Sequence, residues 1–92
     1  MKDFRRDKTQ PIPKWFNGII LEHSEVVTNQ FTGLSIELNP LEVAIYDLGR
    51  GAEMIASGLP HEDLQEPLFD IVRKCNSWFI SNNSRAYMIL ID

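Results

Sequence analysis

The sequence predicts an α+β domain: a two- or three-stranded antiparallel meander packed on a helical hairpin and closed by a short C-terminal helix. Three observations lead there. Leu34, Ile36 and Leu38 alternate with Ser35 and Glu37, the period-two pattern of a half-buried strand. Asn39, Pro40 and Glu42 spell a helix start, and apolar residues at helical spacing follow them. A second apolar series of helical period runs from Leu68 to Phe79.

In chain order, residues 1–12 are polar and aperiodic and read as a basic arm, leaving 13–92 as one α+β domain. In "QPIPKWF", residues 10–16, two prolines favour an extended path. Trp15 and Phe16 are costly to leave in water and should dock this segment onto the body. Residues 17–39 read as β: a run over Gly18–Glu22, a turn at His23–Ser24, a run over Val26–Gln30, and then the alternating strand from Leu34. Three strands are favoured over two, with Gly33 supplying a left-handed position in the second turn.

The first helix spans about 40–56. Asn39 is its N-cap, Pro40 fits the first helical position and Glu42 completes a capping box. Gly58 suits a left-handed C-terminal position, and Pro60 blocks continuation. Leu41, Ala44, Ile45, Leu48, Ala52 and Ile55 form one face, and Val43, Tyr46 and Met54 form a second stripe. Gly49 and Gly51 each cost about 1 kcal/mol in a helix interior, which implies a close approach or a bend there. The second helix should run from about Glu66 to Ser81, since Pro67 is best tolerated in a first turn. Leu68, Ile71, Val72, Cys75, Trp78 and Phe79 are its buried face, and Phe69 and Ile80 a second stripe. A connection of roughly seven to nine residues would let the helices pack antiparallel. For "NNSRAYMILID" the sequence allows a short helix capped by Asn83, which we favour, or an edge strand.

Charge is unevenly placed. Residues 1–14 carry +3, and the remainder carries −7 of the overall −4. An acidic body is repelled by phosphate backbones, so only the basic arm could attract nucleic acid. One cysteine, Cys75, rules out an internal disulfide and a multi-cysteine zinc site, and fits a reduced, cytoplasmic setting. No apolar run approaches the roughly 18 residues of a membrane span, and no apolar segment of a signal peptide follows the basic opening.

Chemistry-bearing patterns are weak. "GRG" at 49–51 lies inside a helix pattern and matches no nucleotide loop. His61, Glu62 and Asp63 are consecutive and do not share a face, and acids at a helix start complement its dipole. Cys75 falls on a buried face, where a thiol acts as a small hydrophobe. His23 and His61 have no neighbour that would make them bases. We expect no catalytic, cofactor-binding or metal-binding residues.

"PKWFNG" at 13–18, "VVTNQFTGLSIEL" at 26–38, "LEVAIYDLGRGAEM" at 41–54 and "WFISNNSRAYMILID" at 78–92 together resemble a family of small proteins encoded by tailed marine phages of the cyanophage type. These are core and turn residues and say nothing of an activity. The chain departs from the family pattern at Gly49 and in the loop "GLPHEDLQEP". The resemblance implies the cytoplasm of an infected host cell and an interaction role. The expected function is therefore a small non-enzymatic interaction module, forming a homo-oligomer (dimer) or binding a host or phage protein through Trp15, Phe16, Tyr46, Met54, Phe69 and Ile80. The alternative is a nucleic-acid-associated protein using the basic arm, against which the acidic body argues.

Overall fold

The computed structural model describes residues 10–92, so most of the basic arm lies outside it. An irregular segment over 10–24 leads into β1 (Glu25–Thr28) and β2 (Ser35–Leu38), followed by α1 (Pro40–Ser57), α2 (Glu62–Asn82) and α3 (Ser84–Ala86). The last continues into a π-helical turn over Tyr87–Ile91. The fold is α+β, with a two-stranded antiparallel sheet, a helical hairpin and a short C-terminal helix. The alternative of a C-terminal edge strand is not adopted: Asn83 Oδ1 accepts from Ala86 N at 3.1 Å and starts the helix instead.

The strands pair with Glu25 opposite Leu38, Val26 opposite Glu37, Val27 opposite Ile36 and Thr28 opposite Ser35. The connection closes on Asn29. Its N–H donates to Leu34 O at 2.8 Å, and its C=O accepts from Gly33 N at 2.8 Å. With Gly33 at φ 78°, this is a G1 bulge, in which two residues of one strand face a single residue of the other. Asn29 Oδ1 also accepts from Phe31 N at 2.8 Å and Thr32 N at 3.3 Å, holding the loop from within.

The favoured third strand over 18–22 does not form; those residues are irregular. The favoured two-residue hairpin turns, whose twist matches that of the strands, need positive φ, and among the described residues only Gly33 has it. His23 and Ser24 therefore cannot fold the run Gly18–Glu22 back onto β1.

α1 begins as its sequence dictates. Glu42 N donates to Asn39 Oδ1 and Asn39 N to Glu42 Oε1, each at 2.9 Å. Its end differs from expectation, because Gly58 takes a right-handed conformation, φ −91° and ψ −4°. Two 3.1 Å bonds, Gly58 N to Ile55 O and Leu59 N to Ala56 O, tighten the last turn instead.

α2 starts a turn earlier than Pro67 suggested, so Pro67 lies inside the helix and the connection shortens to residues 58–61. The early start is held by His61 O, which accepts from Leu64 N and Gln65 N at 3.1 Å, and by Gln65 Nε2 donating to Leu59 O at 2.8 Å. Pro67 then forfeits only one bond, to the carbonyl of the exposed Asp63.

Phe79, Leu38, Leu41, Ile45 and Cys75 are fully buried, with Val43, Trp78, Ala86 and Leu90 around them. Trp15, Phe16, Val27, Ile36, Tyr46 and Leu48 pack against this cluster. The core thus sits where the start of α1, the end of α2, the hairpin, the 15–16 segment and the C-terminal turn converge. That location explains two departures from the expected faces. Leu34, next to the bulge, and Ile55, in the last turn of α1, are both exposed, because each lies beyond the reach of these layers.

Candidate functional site

The six residues singled out in the sequence separate into two groups. Trp15 and Phe16 are half-buried and packed on the core, with a turn behind them from Phe16 N to Pro13 O at 3.0 Å. Tyr46 is half-buried as well. It meets Phe79 edge-on at 6.5 Å between ring centroids, and the Arg50 guanidinium lies 6.0 Å from its ring. Phe69 is also half-buried. Met54, 76% exposed, and Ile80 are turned to solvent. They lie toward opposite ends of the helical hairpin, on the order of 10–15 Å apart along its axis, and do not form one patch.

A larger set of exposed apolar side chains lies where sequence reasoning did not look. Ile19 (83% exposed), Leu21, Val26, Phe31 (99% exposed) and Leu34 all fall within residues 19–34, on the hairpin and the segment leading into it. The signal was present in the sequence. A large aromatic residue inside a turn has little chance of cover, and Phe31 sits between Asn29 and Gly33.

The hydrogen-bond phase of the hairpin defines its free edge. Asn29 and Leu34 form a bonded pair, so bonded and non-bonded pairs alternate back along the ladder. Thr28 and Ser35 then form a non-bonded pair, whose side chains approach more closely, and their hydroxyl oxygens lie 2.7 Å apart. Val27 pairs through its backbone with Ile36. Val26 and Thr28 therefore direct their N–H and C=O groups away from β2. Among the described residues no backbone bond from outside the hairpin reaches either of them.

The most ordered polar constellation is closed. Glu42 is 4% exposed, and its Oε2 accepts from Gln10 Nε2 and Asn83 Nδ2, each at 2.8 Å, while Oε1 accepts from Asn39 N. Asn39 Nδ2 donates to Gln10 Oε1 at 2.9 Å. Trp78 Nε1 donates to Pro11 O at 3.1 Å beside it. These bonds fasten residues 10–11 to the start of α1 and the end of α2.

Other groups are occupied or small in scale. Arg73 pairs with Glu66 at 3.2 Å and Asp70 at 3.7 Å, and Lys74 with Asp70 at 3.2 Å, so the cations beside Trp15 already have carboxylate partners. A cleft between α1 and α2, lined by Tyr46, Arg50, Cys75 and Asn76, has a volume of about 120 Å³, against roughly 300–1,000 Å³ for typical ligand pockets. Burial pushes the Cys75 thiol up to about 11. Burial, and then the Glu25 charge, raise the Asp47 carboxyl above its ordinary value. Among the described residues no group of three or more His, Cys, Asp and Glu converges on a metal position, and no helix is long and apolar enough to cross a membrane.

Comparison with known proteins finds no matching family model, no matching curated protein and no matching solved structure.

Proposed function

We propose that this chain is a small non-enzymatic protein–protein interaction module. The observation that supports it best is the concentration of exposed apolar side chains on residues 19–34, with Phe31 almost wholly in water. Docking these side chains against another protein would remove apolar surface that the monomer leaves hydrated. Met54 and Ile80 add smaller contact points, Trp15, Phe16 and Tyr46 pack on the core that also carries Val27 and Ile36 of the hairpin, and Phe69 is half-buried on α2. The partner is a second copy or a protein of the same cell. The resemblance to phage proteins makes a phage or infected-host protein, in the host cytoplasm, part of this proposal.

The test is cross-linking followed by mass spectrometry, on the wild type and on a Val26→Ser, Phe31→Ser, Leu34→Ser variant, alone and in host lysate. The expected result is specific cross-links from residues 19–34 that vanish in the variant. Wild-type protein yielding no specific cross-link, to itself or to any other chain, would remove the reading. The basic opening, at +3 over residues 1–14, favours one rival. A duplex-DNA gel shift at physiological salt, lost on deleting residues 1–10, would place nucleic-acid binding ahead.

A further inference from the structure

We propose that the outer edge of β1 pairs antiparallel with β1 of a second copy, about a twofold axis at Val27. The inference rests on the interaction-module reading and names its partner. A two-stranded sheet is marginal in water by itself, and its open edges invite another strand. Natural edge strands are guarded by lysine, proline, a bulge or inward charge. β1 reads Glu-Val-Val-Thr, with neither lysine nor proline, and the bulge of this hairpin lies on the other strand, at Gly33. The C-terminal turn packs against β2, and Asn29 Nδ2 donates to Ile89 O at 2.9 Å. These contacts hold β2 and the end of β1 to the body. Among the described residues no backbone bond from outside the hairpin reaches the outward groups of Val26 and Thr28, and both side chains are exposed.

The edge is complementary to itself. Only Val26 and Thr28 point their backbone groups outward, so the register using every outward group sets Val26 against Thr28 of the second copy, and the reverse. It forms about four inter-chain bonds around a non-bonded Val27–Val27 pair. Glu25 then faces Asn29 of the other copy, so no like charges stand opposite. Val26–Thr28 pairs of β-branched residues fill the outer face of the resulting four-stranded sheet. The same register sets the turn that carries each exposed Phe31 at the end of the new pair where the segment leading into the other copy's β1 arrives, and Leu21 of that segment is also exposed. A partner strand of unrelated sequence would satisfy the backbone alone; a second copy satisfies the backbone, the charges and the apolar tips together.

Sedimentation equilibrium across a range of concentrations tests this on the full chain, for wild type, Val26→Pro and Val26→Lys. The Val26 N–H points away from β2, so proline there removes no bond of the existing ladder. Circular dichroism checks that the variants keep the fold. The wild type should dimerise, and both variants should weaken the dimer by about tenfold or more. Val27→Cys should form an inter-chain disulfide on oxidation, because a non-bonded antiparallel pair brings Cα atoms to about 4.5 Å, within disulfide range. A wild type that stays monomeric, or a dimer that survives both Val26 variants and gives no Val27 disulfide, would overturn the proposal. If such a dimer were broken instead by Met54→Glu or Ile80→Glu, the edge would fail while the interaction-module reading stood. If the wild type made no specific contact to itself or any other chain, both would fail.

Discussion

The Cys75 thiol shows how a single residue is tuned by where it lands. It is 2% exposed between the two long helices, and burial raises it from an ordinary value of 9.0 to about 11. The unfolded thiol ionises near pH 9, while the folded one holds its proton to about 11. The stabilisation is therefore complete below pH 9 and fades as pH rises toward 11. Urea melts of wild type and Cys75→Ala should show that loss in the wild type only, and alkylation of native protein should be slow at neutral pH. An equal alkaline loss in both would sink this account. The thiol's burial was legible from its neighbours Ile71, Val72 and Phe79 at helical spacing. The exposure of Phe31 was legible only from its place in the turn between Asn29 and Gly33, because periodicity tells which face of an element is apolar and says nothing of a side chain in a turn.

Among the elements, α1 carries two glycines with opposite meanings. A Cβ at Gly49 would sit 3.1 Å from Cys75 Cβ, so this glycine sets how closely α2 approaches. A Cβ at Gly51 would meet nothing within 4 Å. Gly51→Ala should stabilise by about 1 kcal/mol through helix propensity. Gly49→Ala should gain less, because the tight contact opposes the same benefit, and Gly49→Val should destabilise. Thermal melts of the three variants decide, and a Gly49→Ala gain as large as that of Gly51→Ala would contradict the close approach. The sequence marked both glycines as costly but could not separate them, since the discriminating atom lies 26 positions away in Cys75. The helix starts show the same division. Asn39 and Glu42 satisfy each other within four residues and were readable. The start of α2 depends on Gln65 reaching back to Leu59, a bond that outweighed the usual placement of Pro67. The third strand failed for want of a turn residue at His23–Ser24, although its apolar content was sufficient.

For the molecule as a whole, the Glu42 constellation ties together segments that helical and strand patterns leave unrelated. Gln10 and Glu42 are both nearly excluded from water and bonded at 2.8 Å. Replacing either by alanine should cost about 1.5–3 kcal/mol, as for buried hydrogen bonds to a charged group. The double variant should cost less than the sum, because both changes break the same bond. Strict additivity in denaturant melts would show the two sites to be independent. Beyond the Asn39–Glu42 capping box, this network could not be read beforehand, since nothing in residues 10–11 announces a partner in α1 or α2. The same fastening has a consequence in time. Gln10 reaches Asn82 across 72 positions of sequence and Pro11 reaches Trp78 across 67, whereas the helical hairpin closes through the short loop at 58–61. Distant contacts form late, because their loop-closure entropy must be met before they return anything, so the hairpin should fold first and the N-terminal segment should seal it last. In the native state the order reverses. Residues 10–16 should peel away in a partial opening below the global free energy, and the Trp78 indole hydrogen should exchange with solvent well before the backbone amides around Phe79.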